Sequence, residues 1–204
     1  RKVPGEETGY KTLFEQCIAY EMLPSLAYGG HMHSCSVKWK AEPMNAYVRS
    51  TVLAQSALAS GGRVVRVIGY DDSKADNDRR GRFEGRGGTE DDGESFYYYP
   101  LQVARWAREE CIERIAAAGL PVPPKSSCYF CPSSKPWEII DLVLKHPDLA
   151  AKIVQMEMTA GPALNTIDGL WGSGVKGVDG GIPKPGSMTE FMLVWMVDGR
   201  AYER

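Results

Sequence analysis

The sequence predicts an α/β fold with parallel strand pairing, and three observations carry that expectation. The stretch RVVRVIGY, residues 63–70, is short, rich in Val and Ile, and bounded by Gly-Gly and Asp-Asp, the pattern of a strand at the centre of a sheet. FYYYPL, 96–101, has the character of a second strand. Helical patterns alternate with these strands along the chain, as parallel connections require.

Taken in order, residues 10–22 form a first helix. Tyr10, Leu13, Phe14, Cys17 and Ile18 follow the spacing of one buried face, and Pro24 ends it. YGGHMHSCSVKWK is Gly-rich and irregular. Pro43 then opens a second helix at its first position, with Met44, Tyr47, Val48, Val52 and Leu58 as its apolar residues and SGG at 60–62 as its stop. After the first strand, DDSKADNDRRGRFEGRGGTEDDGES has almost no apolar residues and predicts a long, mobile or ligand-facing loop. A helix over 102–118 closes at Gly119 and Pro121. Pro136 starts a helix through Leu144, and Pro147 starts another to about Gly161. Residues 161–187 are loop-rich. Within them GSGVKGVDGG lacks both the G-x-x-x-x-G-K-[ST] pattern and the preceding strand of a phosphate loop. FMLVWMVDGRAYER predicts a terminal β-hairpin turning at Asp198-Gly199.

Composition narrows the class. Hydrophobic residues are 43% and charged residues 25% of 204, which suits a soluble globular chain able to bury a core without staples. A net charge of -2 gives no global basic field for nucleic acid. No apolar run reaches the roughly 18 residues of a membrane span, and RKVPGEETGYK carries no signal-peptide core. Five cysteines, an odd number in a long chain, favour free or metal-bound thiols in a reducing cytoplasm over a disulfide framework.

The strongest local chemistry is KSSCYFCPSSKPW, where Cys128 and Cys131 stand in a C-x-x-C turn. Soft thiolates converging from a turn suit a metal, but one such pair cannot close a site. Cys35 lies in an irregular segment before a helix and is the natural third ligand. His33, His31, Cys111 or an external group could be the fourth. Cys17 and Cys111 fall on apolar helix faces and are expected in cores. A redox dithiol fits less well, because Pro132 follows at once and the pair lies late in the chain. Lys38 and Lys40 flank Trp39 just before a helix start, a placement that suits an anion. Asp71, Asp72, Asp78, Arg79 and Arg80 follow the first strand, at the carboxyl edge where open α/β sheets bind ligands. Solvated charges are the plain alternative for both groups.

These three constellations, in this order, resemble the phosphoadenosine phosphosulfate reductase-like branch of the PP-loop (adenine nucleotide alpha-hydrolase) superfamily. The likeness is closest to the forms found in bacteriophages and in DNA-sulfur modification systems. CSVKWKAEP matches C-[ST]-x-x-x-K-x-x-P through Cys35, Lys38 or Lys40, and Pro43. VIGYDDSKADNDRR is similar to the strand and acidic-then-basic turn, with extra residues. YYYPLQVARW supplies the strand end before a helix, and CYFCP the late C-x-x-C-P. The resemblance covers about residues 10–160.

It implies a Rossmann-like parallel sheet flanked by helices over 1–120, and a C-terminal region over 121–204 with the cysteine loop, helices and hairpin. It further implies ATP or phosphoadenosine phosphosulfate as ligand, with Lys38, Lys40, Asp71, Asp72, Arg79 and Arg80 in the nucleotide or anion site. It implies sulfur transfer or substrate adenylation, and a 4Fe-4S cluster on Cys35, Cys128 and Cys131. The alternative is a non-catalytic binding module held by zinc, with His33 as fourth ligand. Possible partners are a nucleic-acid substrate, a second chain, or a preceding segment carrying the S-G-G-x-D-S loop, which this sequence lacks along with an initiating Met. The E-C-G-[LI]-H segment of true sulfonucleotide reductases is also absent. The setting implied is the cytoplasm of a bacterium or of a phage-infected cell.

Overall fold

The computed structural model describes residues 10–28, 34–84, 93–123, 125–174, 178–179 and 182–197. The chain divides into two compact units, one of Arg1–Met44 with Ser126–Arg204 and the other of Asn45–Lys125. The first unit thus joins the beginning of the chain to its end.

In the first unit, α1 (Leu13–Ala19) starts at a capping box. Thr12 Oγ1 accepts the Glu15 amide at 3.1 Å, and the Glu15 carboxylate accepts the Thr12 amide at 3.0 Å. A 3₁₀ turn, Ser25–Tyr28, follows. A short helical turn α2 (Ser34–Ser36) then runs through a π segment, Val37–Ala41, into α3 (Glu42–Ser50). Near the chain end, α8 (Pro136–Lys145) and α9 (Pro147–Ala160) both start with proline at a position that needs no N–H donor. The core lies here. Leu23, Ile139, Ile153, Met156, Leu170 and Phe191 are each at most 1% exposed, and α1, α8 and the last helix pack on α9.

That last helix, α10 (Met188–Val197), occupies the first part of the expected hairpin. An apolar run of this length has no period that separates strand from helix. The decision is made at its start, where Ser187 Oγ accepts the Glu190 amide at 3.1 Å. Asp198 and Gly199 lie outside the described residues. Glu157 is only 6% exposed on the apolar side of α9, and it holds this region together. Its Oε1 accepts the amides of Leu170 (2.7 Å) and Met188 (3.0 Å), and its Oε2 accepts Thr189 N (2.7 Å) and Ser187 Oγ (2.7 Å). Gly169 fits against this carboxylate, where a Cβ would stand 2.6 Å from Ser187 Cα.

In the second unit, the expected second helix is two: α3 ends and α4 (Val52–Ala59) restarts at Thr51. Thr51 is extended there, and its hydroxyl accepts the Ala54 amide at 3.3 Å. Two apolar residues of that expected helix, Tyr47 and Val52, are 72% and 79% exposed. Strand β1 (Val64–Val67) pairs in parallel with β2 (Ser95–Tyr98), as expected, with Val65 opposite Phe96 and Val67 opposite Tyr98. Among the described residues this parallel sheet has these two strands, fewer than the flanked sheet expected. The covered side carries polar groups: Arg66 donates to Asn45 Oδ1 at 2.7 Å and to Ser95 Oγ at 2.9 Å. The apolar side, with Val65, Val67, Phe96 and Tyr98, is exposed.

The charged segment after β1, expected to be a loop, forms α5 (Lys74–Glu84). Local polar bonds start it in place of an apolar face. Asp71 Oδ1 accepts the Ser73 amide at 2.9 Å, Asp76 Oδ2 accepts the Asp71 amide at 3.2 Å, and Lys74 pairs with Asp78 one turn on. The expected helix over 102–118 is also divided, into α6 (Pro100–Val103) and α7 (Arg108–Ala117), with Arg105 in the left-handed region (φ 57°) between them. In the loop-rich tail, β3 (Val178–Asp179) and β4 (Ile182–Pro183) form a small antiparallel ladder.

Removing the Glu157 carboxylate leaves three amides and a hydroxyl without a buried acceptor, each worth about 1–3 kcal/mol when unsatisfied. Glu157→Ala should therefore lower unfolding stability by about 3–5 kcal/mol. Gly169→Ala, which inserts a Cβ into the same contact, should also destabilise. Urea unfolding followed by circular dichroism measures both; unchanged midpoints would remove Glu157 from this role.

Candidate functional site

Four of the five cysteines belong to the first unit, and burial grades them. Cys17 is 1% exposed on the inner face of α1, while Cys35, Cys128 and Cys131 are half-buried. The expectation that Cys17 is a core residue holds. Cys111, on α7 of the second unit, is half-buried and not in a core.

Cys35 is placed by α1 and the turn after it. Its amide donates to Ser25 Oγ at 3.3 Å. The π segment that follows directs Trp39 inward, so that Trp39 Nε1 donates to Gln16 Oε1 at 2.9 Å. Gln16 Nε2 in turn donates to Tyr10 Oη at 3.3 Å, and Lys38 Nζ stands 6.0 Å from the Tyr10 ring centre. The C-x-x-C turn closes on itself, with the Cys131 amide donating to Cys128 O at 3.0 Å and the Ser134 amide to Cys131 O at 2.8 Å. Ser134 O then accepts Trp171 Nε1 at 2.9 Å and Lys184 Nζ at 3.1 Å. Trp171 stacks edge-on against Phe191 of α10, 5.3 Å between centroids. The turn is thus fastened to the same corner that Glu157 organises. Cys131 Sγ lies 3.0 Å from Ser133 Oγ.

Burial dominates the electrostatics of these thiols. Burial pushes the Cys128 thiol above its ordinary value; the Lys40 ammonium pulls the other way, and Cys131 and Cys35 add to the rise. Burial, with a smaller push from Cys35, raises Cys17 from 9.0 to about 12. Tyr129 is raised by burial first, then by Cys128, Asp148 and Cys17. Cys35, the third thiol expected from sequence, belongs to the same compact unit as the C-x-x-C pair and Cys17. His31 and His33 lie outside the described residues. Among the described residues, no three His, Cys, Asp or Glu side chains are already gathered as a metal site. The donor set itself, soft thiols beside a lysine, suits zinc or an iron-sulfur cluster.

The second unit holds the other predicted group. Because β1 and β2 are parallel, the residues after each meet at one edge. Asp71 is 9% exposed, and its carboxyl is held below the ordinary range by the Ser73 side chain first, then by the Ser73 amide, Arg108 and Arg79, against the opposing effect of burial. Arg80 stacks 4.5 Å over the Tyr99 ring and donates to Gln102 Oε1 at 3.1 Å, and Gln102 Nε2 donates to Asp71 O at 3.3 Å. Arg79 pairs with Asp76 and lies 5.5 Å from the Tyr70 ring. Asp72 Oδ1 accepts Asn77 Nδ2 at 3.0 Å. Gln102 and Tyr99 were not singled out in the sequence, although YPLQ sits directly after the second strand, where ligand-edge residues belong. Lys38 and Lys40 fall in the first unit and Asp71, Asp72, Arg79 and Arg80 in the second.

Among the described residues, no helix is long and apolar enough to cross a membrane. Comparison of the chain with family models, characterised proteins and solved structures finds no match.

The Cys17 thiol sets a pH dependence in the metal-free protein. The folded chain holds this proton more tightly than the unfolded chain, so the contribution to stability is complete below pH 9 and is lost as pH rises toward about 12. Urea midpoints should fall over that window, and Cys17→Val should flatten the fall. An equal slope in the variant would assign the loss to other groups.

Proposed function

We propose that this protein is an adenine-nucleotide-dependent enzyme of the PP-loop type, similar to phosphoadenosine phosphosulfate reductase-like proteins. Its chemistry is sulfur transfer or substrate adenylation, with a 4Fe-4S centre held by Cys35, Cys128 and Cys131. One observation carries the reading: Cys35 lies far upstream in sequence, yet it belongs with Cys128 and Cys131 to one compact unit. The parallel strand pair with Asp71, Arg80 and Gln102 at its carboxyl edge supports the nucleotide half.

A bound cluster would supply iron for holding a sulfur species or an electron. The chain's own residues do the rest. Lys40 offsets the negative charge of the thiolates, and Lys38 adds a second cation on the same segment. Arg80 is pre-positioned by Tyr99 and Gln102, so it can meet a phosphate or sulfate oxygen without ordering a free side chain. Arg79, already paired with Asp76, is a weaker donor to such a group.

A second reading, a zinc-held binding module, is favoured by the packing of Cys128 and Tyr129 against the main core, where a structural metal would brace the fold.

Anaerobic purification followed by iron, sulfide and zinc analysis separates the two. Iron with sulfide, lost on Cys35→Ala, Cys128→Ala or Cys131→Ala, is the expected result. Zinc without sulfide selects the module, and neither metal sinks both. For the nucleotide half, Arg80→Ala should weaken ATP binding about tenfold, the loss of one charge-assisted bond of roughly 1.5 kcal/mol. Equal affinity by calorimetry would remove Arg80 from the site.

A further inference from the structure

We propose that Arg105 is an anion-binding residue of the second unit, and that it meets a phosphate or sulfate group of the same ligand as Arg80. This rests on the reading of the sheet's carboxyl edge as a nucleotide site, and it deepens that reading by adding a residue to it.

The backbone singles Arg105 out. Among the described residues, four helices end in one hydrogen-bonded pattern. The residue after the cap donates to the carbonyl three before it, and the next residue to the carbonyl five before it. α4 ends this way at Gly61 and Gly62 (3.0 and 2.8 Å), and α7 at Gly119 and Leu120 (2.9 and 3.1 Å). α1 does so at Glu21 and Met22 (3.3 and 3.0 Å), and α6 at Arg105 and Trp106 (3.1 and 2.8 Å). The residue after the cap is left-handed each time: φ is 75° at Gly61, 70° at Gly119, 49° at Glu21 and 57° at Arg105. Glycine takes this conformation without the clash of a Cβ. At the end of α6 an arginine stands in its place, so the backbone there is strained. The cap bonds use main-chain groups alone, and the guanidinium has no part in them.

The strain sits at the ligand edge. The Arg105 amide donates to Gln102 O, and the buried side chain of Gln102 accepts Arg80 at 3.1 Å and donates to Asp71 O at 3.3 Å. The next residue, Trp106, accepts the Asp72 amide through its carbonyl at 2.8 Å, which ties the corner between α6 and α7 to the segment after β1. Arg105 thus stands on the corner that carries the groups assigned to the anion. It is exposed. Among the described residues its guanidinium has no hydrogen bond or ion pair, whereas Arg79 is paired with Asp76 and Arg114 with Glu110. An arginine whose donors take no part in the fold keeps its whole planar fork for a phosphate or sulfate oxygen. Glu21 shares the conformation, but it belongs to the first unit and carries the wrong charge for an anion.

Calorimetric titration of ATP into the full chain, with thermal unfolding alongside, tests the assignment. Arg105→Ala and Arg105→Gly should each bind ATP about tenfold more weakly than the wild type. Arg105→Gly should also melt about 2–4 °C above Arg105→Ala, because both lose the guanidinium and only glycine relieves the backbone. A more stable variant that binds less tightly separates a lost contact from a damaged fold. Glu21→Gly, the same backbone change in the first unit, should bind ATP as the wild type does. Wild-type ATP affinity in both Arg105 variants would overturn the role of Arg105 and leave the nucleotide site standing, and so would an equal loss in Glu21→Gly. A glycine variant melting below the alanine variant would remove the strain on which the assignment rests. No ATP binding by the wild type would overturn both the role of Arg105 and the nucleotide site.

Discussion

The Glu157 carboxylate is the constraint on which most of the first unit depends. It accepts four donors that two separate loop stretches present to it, and both of its oxygens are fully used. A buried charge is tolerable only when satisfied in this way. The same contact has two outcomes. It accepts the otherwise unpaired amides at the start of α10, favouring a helix for an ambiguous apolar run. It also holds the turn at 168–172, which sets Trp171 where its indole reaches the Ser134 carbonyl. The cysteine turn is therefore positioned in part by a residue of α9, outside the turn itself.

Around that turn the balance of forces is unfavourable to bare thiolates. Burial opposes charge on Cys17 and Cys128, and the Lys40 ammonium and a backbone hydrogen bond act in the other direction on Cys128. Burial thus favours the protonated form of Cys17 and Cys128.

Much of this was legible in the residues. The two strands, α1, α8 and α9 follow from periodicity and from proline and glycine punctuation, and the structure has them within a few residues. The elements that differ share a cause. α5 has no apolar face and is started by Ser73 and Asp76, and α10 is apolar throughout and is started by Ser187 with Glu190. In both, a Ser-x-x-acid signal was present and hydrophobic spacing was silent or ambiguous. Glu157 also left a mark, as a lone acid among Ile153, Met156 and Ala160, but its partners lie beyond any local window. Cys128 and Cys131 lie in a turn, as their polar flanks suggested, whereas Cys35, expected in an irregular segment, lies in the helical turn α2. Cys17, read from helix spacing as a core residue, is one.

The first unit is assembled from the two ends of the chain, with all of Asn45–Lys125 synthesised in between. On the ribosome, α1 emerges before α9, which packs against it. Until α9 follows, α1 and the thiols of Cys17 and Cys35 have no fold to enter, and at about 5–20 residues per second the interval lasts several seconds. Closing such a long loop is slow compared with forming any one helix. The most vulnerable moment for these cysteines is thus during synthesis, when oxidants and stray metal ions meet them as an open chain.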